Sequence, residues 1–340
     1  MRGLKRFVLL LCAALAGGAL YSLNSPYRGF QGDRFIEFPK GSGTRAIGLK
    51  LEEEGVVRYA WQFWLARAMH PRTTVQAGEY RFDRPASVAE VFRRLARGDV
   101  YYFSFTVPEG SNMFDIARLA ESEGVMPAQD FLRAAADAAP VRDLAPDAKT
   151  LEGFLFPSTY RLSHDTTPQA LVQMMTSQFR KEWKRLSAGK HAEAGKVVTL
   201  ASLVEKETGV AEERPLVASV FENRLRIGMP LDCDPTVIYA ALLENRYRGE
   251  IHRSDLDRQH PYNTYQHAGL PPGPIANPGE SSLAAALDPA ETGYLYFVAR
   301  PEGGGHVFTS NLAAHGKAVK SYRNATHRNV TPGKPARKAR

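Results

Sequence analysis

The chain has 340 residues, 44% of them hydrophobic, and carries 44 lysines and arginines against 36 acids, a net charge of +8. That apolar content suffices for one large or two modest cores and excludes a wholly disordered chain. Two cysteines, one inside an N-terminal apolar run, exclude a disulfide framework. The charge excess has one source: Lys317, Lys320, Arg323, Arg328, Lys334, Arg337, Lys338 and Arg340, with no acid among residues 317–340. The rest of the chain is balanced, and no nucleic-acid recognition motif occurs. Residues 321–340 read as a basic, disordered tail; attraction to anionic lipid or cell-wall polymer is the other reading.

Residues 1–6 hold Arg2, Lys5 and Arg6, and residues 7–23 form an apolar run. Charge followed by an apolar core is an export pattern. The run is short for a span of about 20 residues, so a cleaved signal peptide stands beside an uncleaved anchor. The anchor is favoured, single-pass, with the N-terminus inside by the charge bias. Everything after it then lies on the outer, periplasmic side of the inner membrane.

Residues 31–150 contain a repeat. Phe38-Pro39-Lys40-Gly41-Ser42 aligns with Val107-Pro108-Glu109-Gly110-Ser111, and Glu54-Gly55-Val56 with Glu123-Gly124-Val125, both at an offset of 69. Each copy reads as strand, turn and helix, with Thr44 in one and Ser111 or Asn112 in the other suited to the N-cap, and the Gly of Glu-Gly-Val to the C-terminal stop. Gly78 to Phe82 reads as a strand, and Ser87-Val88-Ala89-Glu90 as a capping box. Tyr160-Arg161-Leu162 echoes Tyr80-Arg81-Phe82, so the duplication extends, with an insertion near residues 127–150. Units of this kind resemble LysM modules, which bind peptidoglycan. Trp61, Phe63 and Trp64 are candidates for sugar stacking, or for core.

The run Leu200 to Gly209 holds the strongest chemical signal. At about 100° per residue, Val197, Leu200, Ala201, Leu203 and Val204 share one helix face, and Glu207 falls inside it; Glu205 and Lys206 point elsewhere. Apolar surroundings disfavour a carboxylate's charged form, so it holds its proton nearer neutral pH. Such an acid beside a sugar is the proton donor of glycosidic-bond cleavage. The structural alternative is a buried acid paired to Arg214 or Arg224.

Glu205-Lys206-Glu207-Thr208, Phe221-Glu222-Asn223-Arg224, Asp234-Pro235-Thr236, Tyr262-Asn263-Thr264-Tyr265, Gly269 to Gly279 and Gly304-Gly305-His306-Val307-Phe308 follow one another in order, after Leu151-Glu152-Gly153-Phe154-Leu155-Phe156-Pro157. This series resembles the endolytic murein transglycosylase, or YceG-like, family over residues 151–320. The resemblance implies a lyase that cuts MurNAc-GlcNAc bonds inside nascent peptidoglycan strands, leaves 1,6-anhydro-MurNAc ends and terminates elongation beside the peptidoglycan synthases. It also implies that the catalytic acid is the second Glu of Glu-Lys-Glu-Thr, Glu207. The chain departs from the family pattern at Ser158, where Asp is usual, and at Cys233, where Thr or Ser is usual. A ligand role at either is in doubt, and Cys233 reads as an inert small hydrophobe.

In the Pro- and Gly-rich stretch from Tyr262 to Gly279, Asn263, Thr264 and Tyr265 are candidates to hold sugar hydroxyls or an acetamido group, with Tyr239 to stack or donate. Asp234 suits a cap on the helix starting at Pro235, and Asn223 with Arg224 suits support of Glu207 or Glu213. Glu152 is the rival acid, ranked as support. Ser281 to Leu287 reads as a helix, and Tyr294 to Val298 as a buried strand paired with His306 to Thr309. The class is α+β. No metal-ligand spacing occurs, and no cofactor is implied. Two other readings stand: a muramidase that uses water, and a non-catalytic peptidoglycan-binding scaffold.

Overall fold

The computed structural model describes residues 2–330, with side chains from residue 3 to 325. The chain folds into two units: one runs up to Ser104 and takes in Arg161–Asp165, and the other holds Phe105–Tyr160 and everything from Thr166.

The first unit begins with α1 (Arg2–Asn24), followed by β1 (Arg34–Phe38), α2 (Thr44–Glu53), α3 (Ala60–Met69), β2 (Gly78–Phe82) and α4 (Val88–Arg97). Strands β1 and β2 pair antiparallel, Ile36 opposite Tyr80. Alternation along β1 buries Ile36 and Phe38. Helix α4 adds Val88, Val91, Phe92 and Leu95, the i, i+3, i+4, i+7 set of a core-facing helix. Ser87 Oγ accepts the Glu90 N–H at 3.2 Å, one half of the expected capping box, and Gly98 at φ 73 ends the helix. Leu23, from the last turn of α1, is 4% exposed within this core.

The pattern then repeats along the chain. Strand β3 (Phe103–Thr106) and helix α5 (Met113–Ser122) follow β1 and α2 at the expected offset of 69, and α6 (Ala128–Ala135), β4 (Thr159–Leu162) and α7 (Pro168–Leu186) match α3, β2 and α4. Strands β3 and β4 are hydrogen-bonded to each other. The extra residues lie at 136–158, later than expected, because 128–135 is the counterpart of α3 rather than insertion. Asn112 caps α5, taking the Phe114 and Asp115 N–H groups, and Asp115 returns the bond to Asn112 N. In the first copy Gly43, not Thr44, is the N-cap, and no side chain caps the helix.

The body of the second unit is α8 (Ala194–Glu207), α9 (Arg214–Arg226), α10 (Asp234–Leu243), α11 (Arg253–Leu256), α12 (Glu280–Leu287), the hairpin β5 (Tyr296–Ala299) with β6 (His306–Thr309), and α13 (Leu312–Val330). Strand β5 pairs antiparallel with β6 but is half-buried along its length rather than buried. Helix α13 carries regular structure through residues expected to be irregular, 321–330; the rest of the expected tail lies outside the described residues.

Candidate functional site

Helix α8 is buried on nearly every side: Val198 through Val204 are all at or below 4% exposure. Its polar members are satisfied internally, with Thr199 Oγ1 donating to Gly195 O and Ser202 Oγ to Thr199 O. A helix this enclosed presents chemistry only at its end, and its last three residues diverge there. Glu205 accepts the Gly279 N–H at 2.9 Å, at the start of α12, and lies 3.5 Å from Arg214. Lys206 Nζ donates to Gly110 O, in the second Pro-x-Gly-Ser turn. Glu207, the final residue, opens into a cleft of about 370 Å³ shared with Arg224, Leu231, Asp232, Asp234, Tyr265, Tyr296, Phe297, Leu312 and His315. Arg214, one of the two structural partners open to Glu207, is thus taken by Glu205.

Burial pushes the Glu207 carboxyl above its ordinary range, and the nearby Asp234 charge adds to this. Three groups oppose the shift: a hydrogen bond from Cys233, and the charges of His306 and Arg224. The bond from Cys233 Sγ to Glu207 Oε1 is 3.0 Å long. Cys233 is buried, and its thiol is pushed well up by burial and by the adjacent carboxylate, so it stays a protonated donor. The expectation of an inert small hydrophobe is corrected: this thiol holds the acid. Asp232, in the same loop, has φ 49, a left-handed backbone that Asp tolerates better than most residues.

Of the eight residues put forward beside Glu207, three line its cleft: Arg224, Asp234 and Tyr265. Arg224 donates to the carbonyls of Leu295, Pro230 and Leu231, lies 3.3 Å from Asp232, and sits over the Tyr296 ring; it braces the walls rather than pairing with Glu207. Asp234 is the first residue of α10 and makes no cap; its Oδ1 takes the Tyr265 hydroxyl at 2.6 Å.

The other five are structural in placement. Asn263 is 1% exposed and spends its amide on the carbonyls of Asp255, Leu256 and Arg258. Thr264 Oγ1 accepts the Cys233 N–H and bonds Thr236, so it ties down the loop that carries the thiol. Asn223 donates to Thr292 O and Tyr294 O. Tyr239 donates to Glu152, which also accepts from Met113 N and Asn277 Nδ2; both are buried and absent from the cleft lining. Burial raises Glu152 to about 7. His306, read as a strand residue, lies in β6 with Nδ1 2.7 Å from Glu213.

Sequence reasoning missed Cys233, Asp232, Tyr296, Phe297, Leu312 and His315 as residues of the site. Tyr296 and His315 stack, centroids 5.0 Å apart, and His315 Nδ1 is buried with no hydrogen-bond partner among the described residues. Burial, then the Arg224 charge, lowers the His315 pKa, so this ring is neutral at pH 7. The described residues contain no cluster of three or more metal-ligating side chains.

A sequence profile of the YceG-like family matches residues 36–321. The chain is 34% identical to the endolytic murein transglycosylase of Bacillus subtilis over 310 residues, 84% of each protein. It is 28% identical to that of Streptococcus pneumoniae strain D39, over 85% of this chain and 58% of the longer pneumococcal protein. Among solved structures, the putative yceG-like protein lmo1499 of Listeria monocytogenes aligns over 85% of this chain and 99% of its own, at 29% identity and a TM-score of 0.56.

Proposed function

The chain belongs to the YceG-like family, and from that premise we propose that it cleaves the MurNAc-GlcNAc bond within peptidoglycan strands by a lytic route with Glu207 as its one acid and base. The observation that carries this reading is a protonated-leaning carboxyl at the end of a buried helix, facing a cleft walled by aromatic rings.

Cys233 S–H engages Oε1, so the acidic proton is assigned to the other oxygen, Oε2. That proton passes to the bridging oxygen as the C1–O4 bond breaks. The carboxylate left behind takes the proton of the C6 hydroxyl of the same muramyl ring, and C1–O6 forms. Glu207 ends protonated, no water is consumed, and the product carries a 1,6-anhydro end. Asp232 and Asp234 surround the cationic, oxocarbenium-like centre with negative charge. Phe297 offers apolar ring surface to the sugars, and Tyr265 offers a polar contact. The apolar helix α1, long enough to cross a membrane, anchors the chain with its folded units outside the cytoplasm, where nascent strands and their synthases are found.

One observation favours a second reading. Asp232 and Asp234 share the cleft with Glu207, and a hydrolytic muramidase needs a second carboxylate. Mass spectrometry of digested glycan strands separates the two. The lytic route predicts internal fragments with anhydro ends; fragments heavier by one water, with reducing ends, would overturn it.

A further inference from the structure

Helix α3 is apolar on both sides. Its inner side, Ala60, Phe63 and Ala66, is buried in the core of the first unit. Its outer side carries Trp61, Ala68 and Met69, the i, i+7, i+8 positions of a second apolar stripe, with Leu65 between them partly buried against the core. Trp61 is 44% and Met69 53% exposed. Arg67 is the one charge in these ten residues, and it turns back to His70 O. A helix apolar all round belongs inside a core or against lipid, and among the described residues of its own unit nothing covers the two ends of the outer stripe.

The position of the stripe identifies its cover. Gln62 sits between exposed Trp61 and buried Phe63, and its Nε2 donates to Ser22 Oγ at 2.5 Å, in the last turn of α1. Helix α1 is exposed from Gly3 to Gly18 and packs on the unit only from Ala19 onward, with Leu23 in the core. No linker separates the spanning helix from the globular unit. The spanning helix runs Gly3–Asn24, but only Gly3 to Gly18 stands clear of the unit, about 24 Å at 1.5 Å per residue and short of a hydrocarbon core of about 30 Å. A short span draws its flanking surface toward the headgroups. Beside the helix exit that surface is Tyr59, 50% exposed, Trp61, and Arg58 lying over the Tyr27 ring, the aromatic and basic composition of a membrane-interface belt.

We infer that the outer face of α3, Trp61 with Ala68 and Met69, lies in the headgroup layer of the bilayer that α1 crosses, and seats the first unit directly on the membrane. This rests on α1 being a spanning helix, and the test keeps the two claims apart. The full-length protein is reconstituted in phosphatidylethanolamine–phosphatidylglycerol vesicles with bromines placed near the headgroup or near the chain ends. Emission of the wild type minus that of Trp61→Phe isolates Trp61 from Trp64 and Trp183. Emission of a Leu11→Trp variant minus that of the wild type isolates a reporter in the middle of α1. Trp61 is expected to be quenched more by shallow than by deep bromines, and the α1 reporter more by deep ones. Quenching of the α1 reporter with Trp61 untouched by either lipid overturns the seating while leaving the anchor intact; a Trp61 emission shift on adding glycan strands would then mark a sugar-binding face. Loss of quenching at both positions overturns the anchor and the seating together.

Discussion

Glu207 and Cys233 form a pair whose chemistry is set by one hydrogen bond. The thiol lowers the Glu207 pKa against the larger rise from burial. Replacing Cys233 with Ser gives a stronger donor, so the Glu207 pKa falls and the alkaline limb of the cleavage rate moves to lower pH. Cys233→Ala removes the donor and moves that limb to higher pH. A pH profile of kcat for the three proteins checks both signs. Glu152 makes a separate prediction, on stability. Its folded pKa of about 7 lies above the ordinary 4.5. Below pH 4.5 both folded and unfolded chains hold the proton; between 4.5 and 7 only the folded one does. Stability therefore declines as pH rises through that window, by on the order of 3 kcal/mol at about 1.36 kcal/mol per unit. Urea midpoints of Glu152→Gln should lose this slope. Glu207 was legible in the sequence because its neighbours at helical spacing are apolar. Cys233 was not, because a thiol among apolar residues reads as filler and its partner is 26 residues away. Asn263 and Thr264 looked like sugar ligands for a physical reason: polar residues in a loop free of regular structure invite that reading, but such a loop must first satisfy its own backbone.

At the scale of elements, the turns of the repeat were the most readable part of the chain. Pro-x-Gly-Ser needs a left-handed glycine, and Gly41 and Gly110 stand at φ 90 and 72. The placement of the insertion was less readable, since α6 shares little sequence with α3 beyond helical spacing. The burial of α8 from Val198 to Val204 was also hidden, because Thr199 and Ser202 broke the apolar pattern while bonding their own helix. Gly153 shows how tightly the insertion meets that helix. It sits at φ 86, where a Cβ would collide with the Pro274 ring and lie 2.8 Å from Val198. Gly153→Ala should destabilise the protein by about 2–4 kcal/mol, from left-handed strain and overpacking together. A lower denaturant midpoint at unchanged m-value would show it; an unchanged midpoint would mean that the loop yields.

At the scale of the molecule, the N-terminal helix is part of the fold. Leu23 fills the first unit's core and Ser22 holds Gln62, so a chain starting at Ser25 should be less stable in that unit than one starting at Gly18, by about 1.5–3 kcal/mol for one buried leucine. Paired thermal melts check this. Packing of this kind also favours an uncleaved anchor over a removed signal peptide, a choice that hydropathy alone left open.

The central claim is that one carboxylate performs the reaction. It is tested most directly by rates of strand cleavage for Glu207→Gln, Asp232→Asn and Asp234→Asn beside the wild type, each confirmed folded. Loss of a general acid–base group costs about 10²–10⁴-fold. That loss is expected for Glu207→Gln alone, with the two Asn variants slowed but active and still yielding anhydro ends. Wild-type cleavage by Glu207→Gln, or equal abolition by either Asn variant, would contradict the claim.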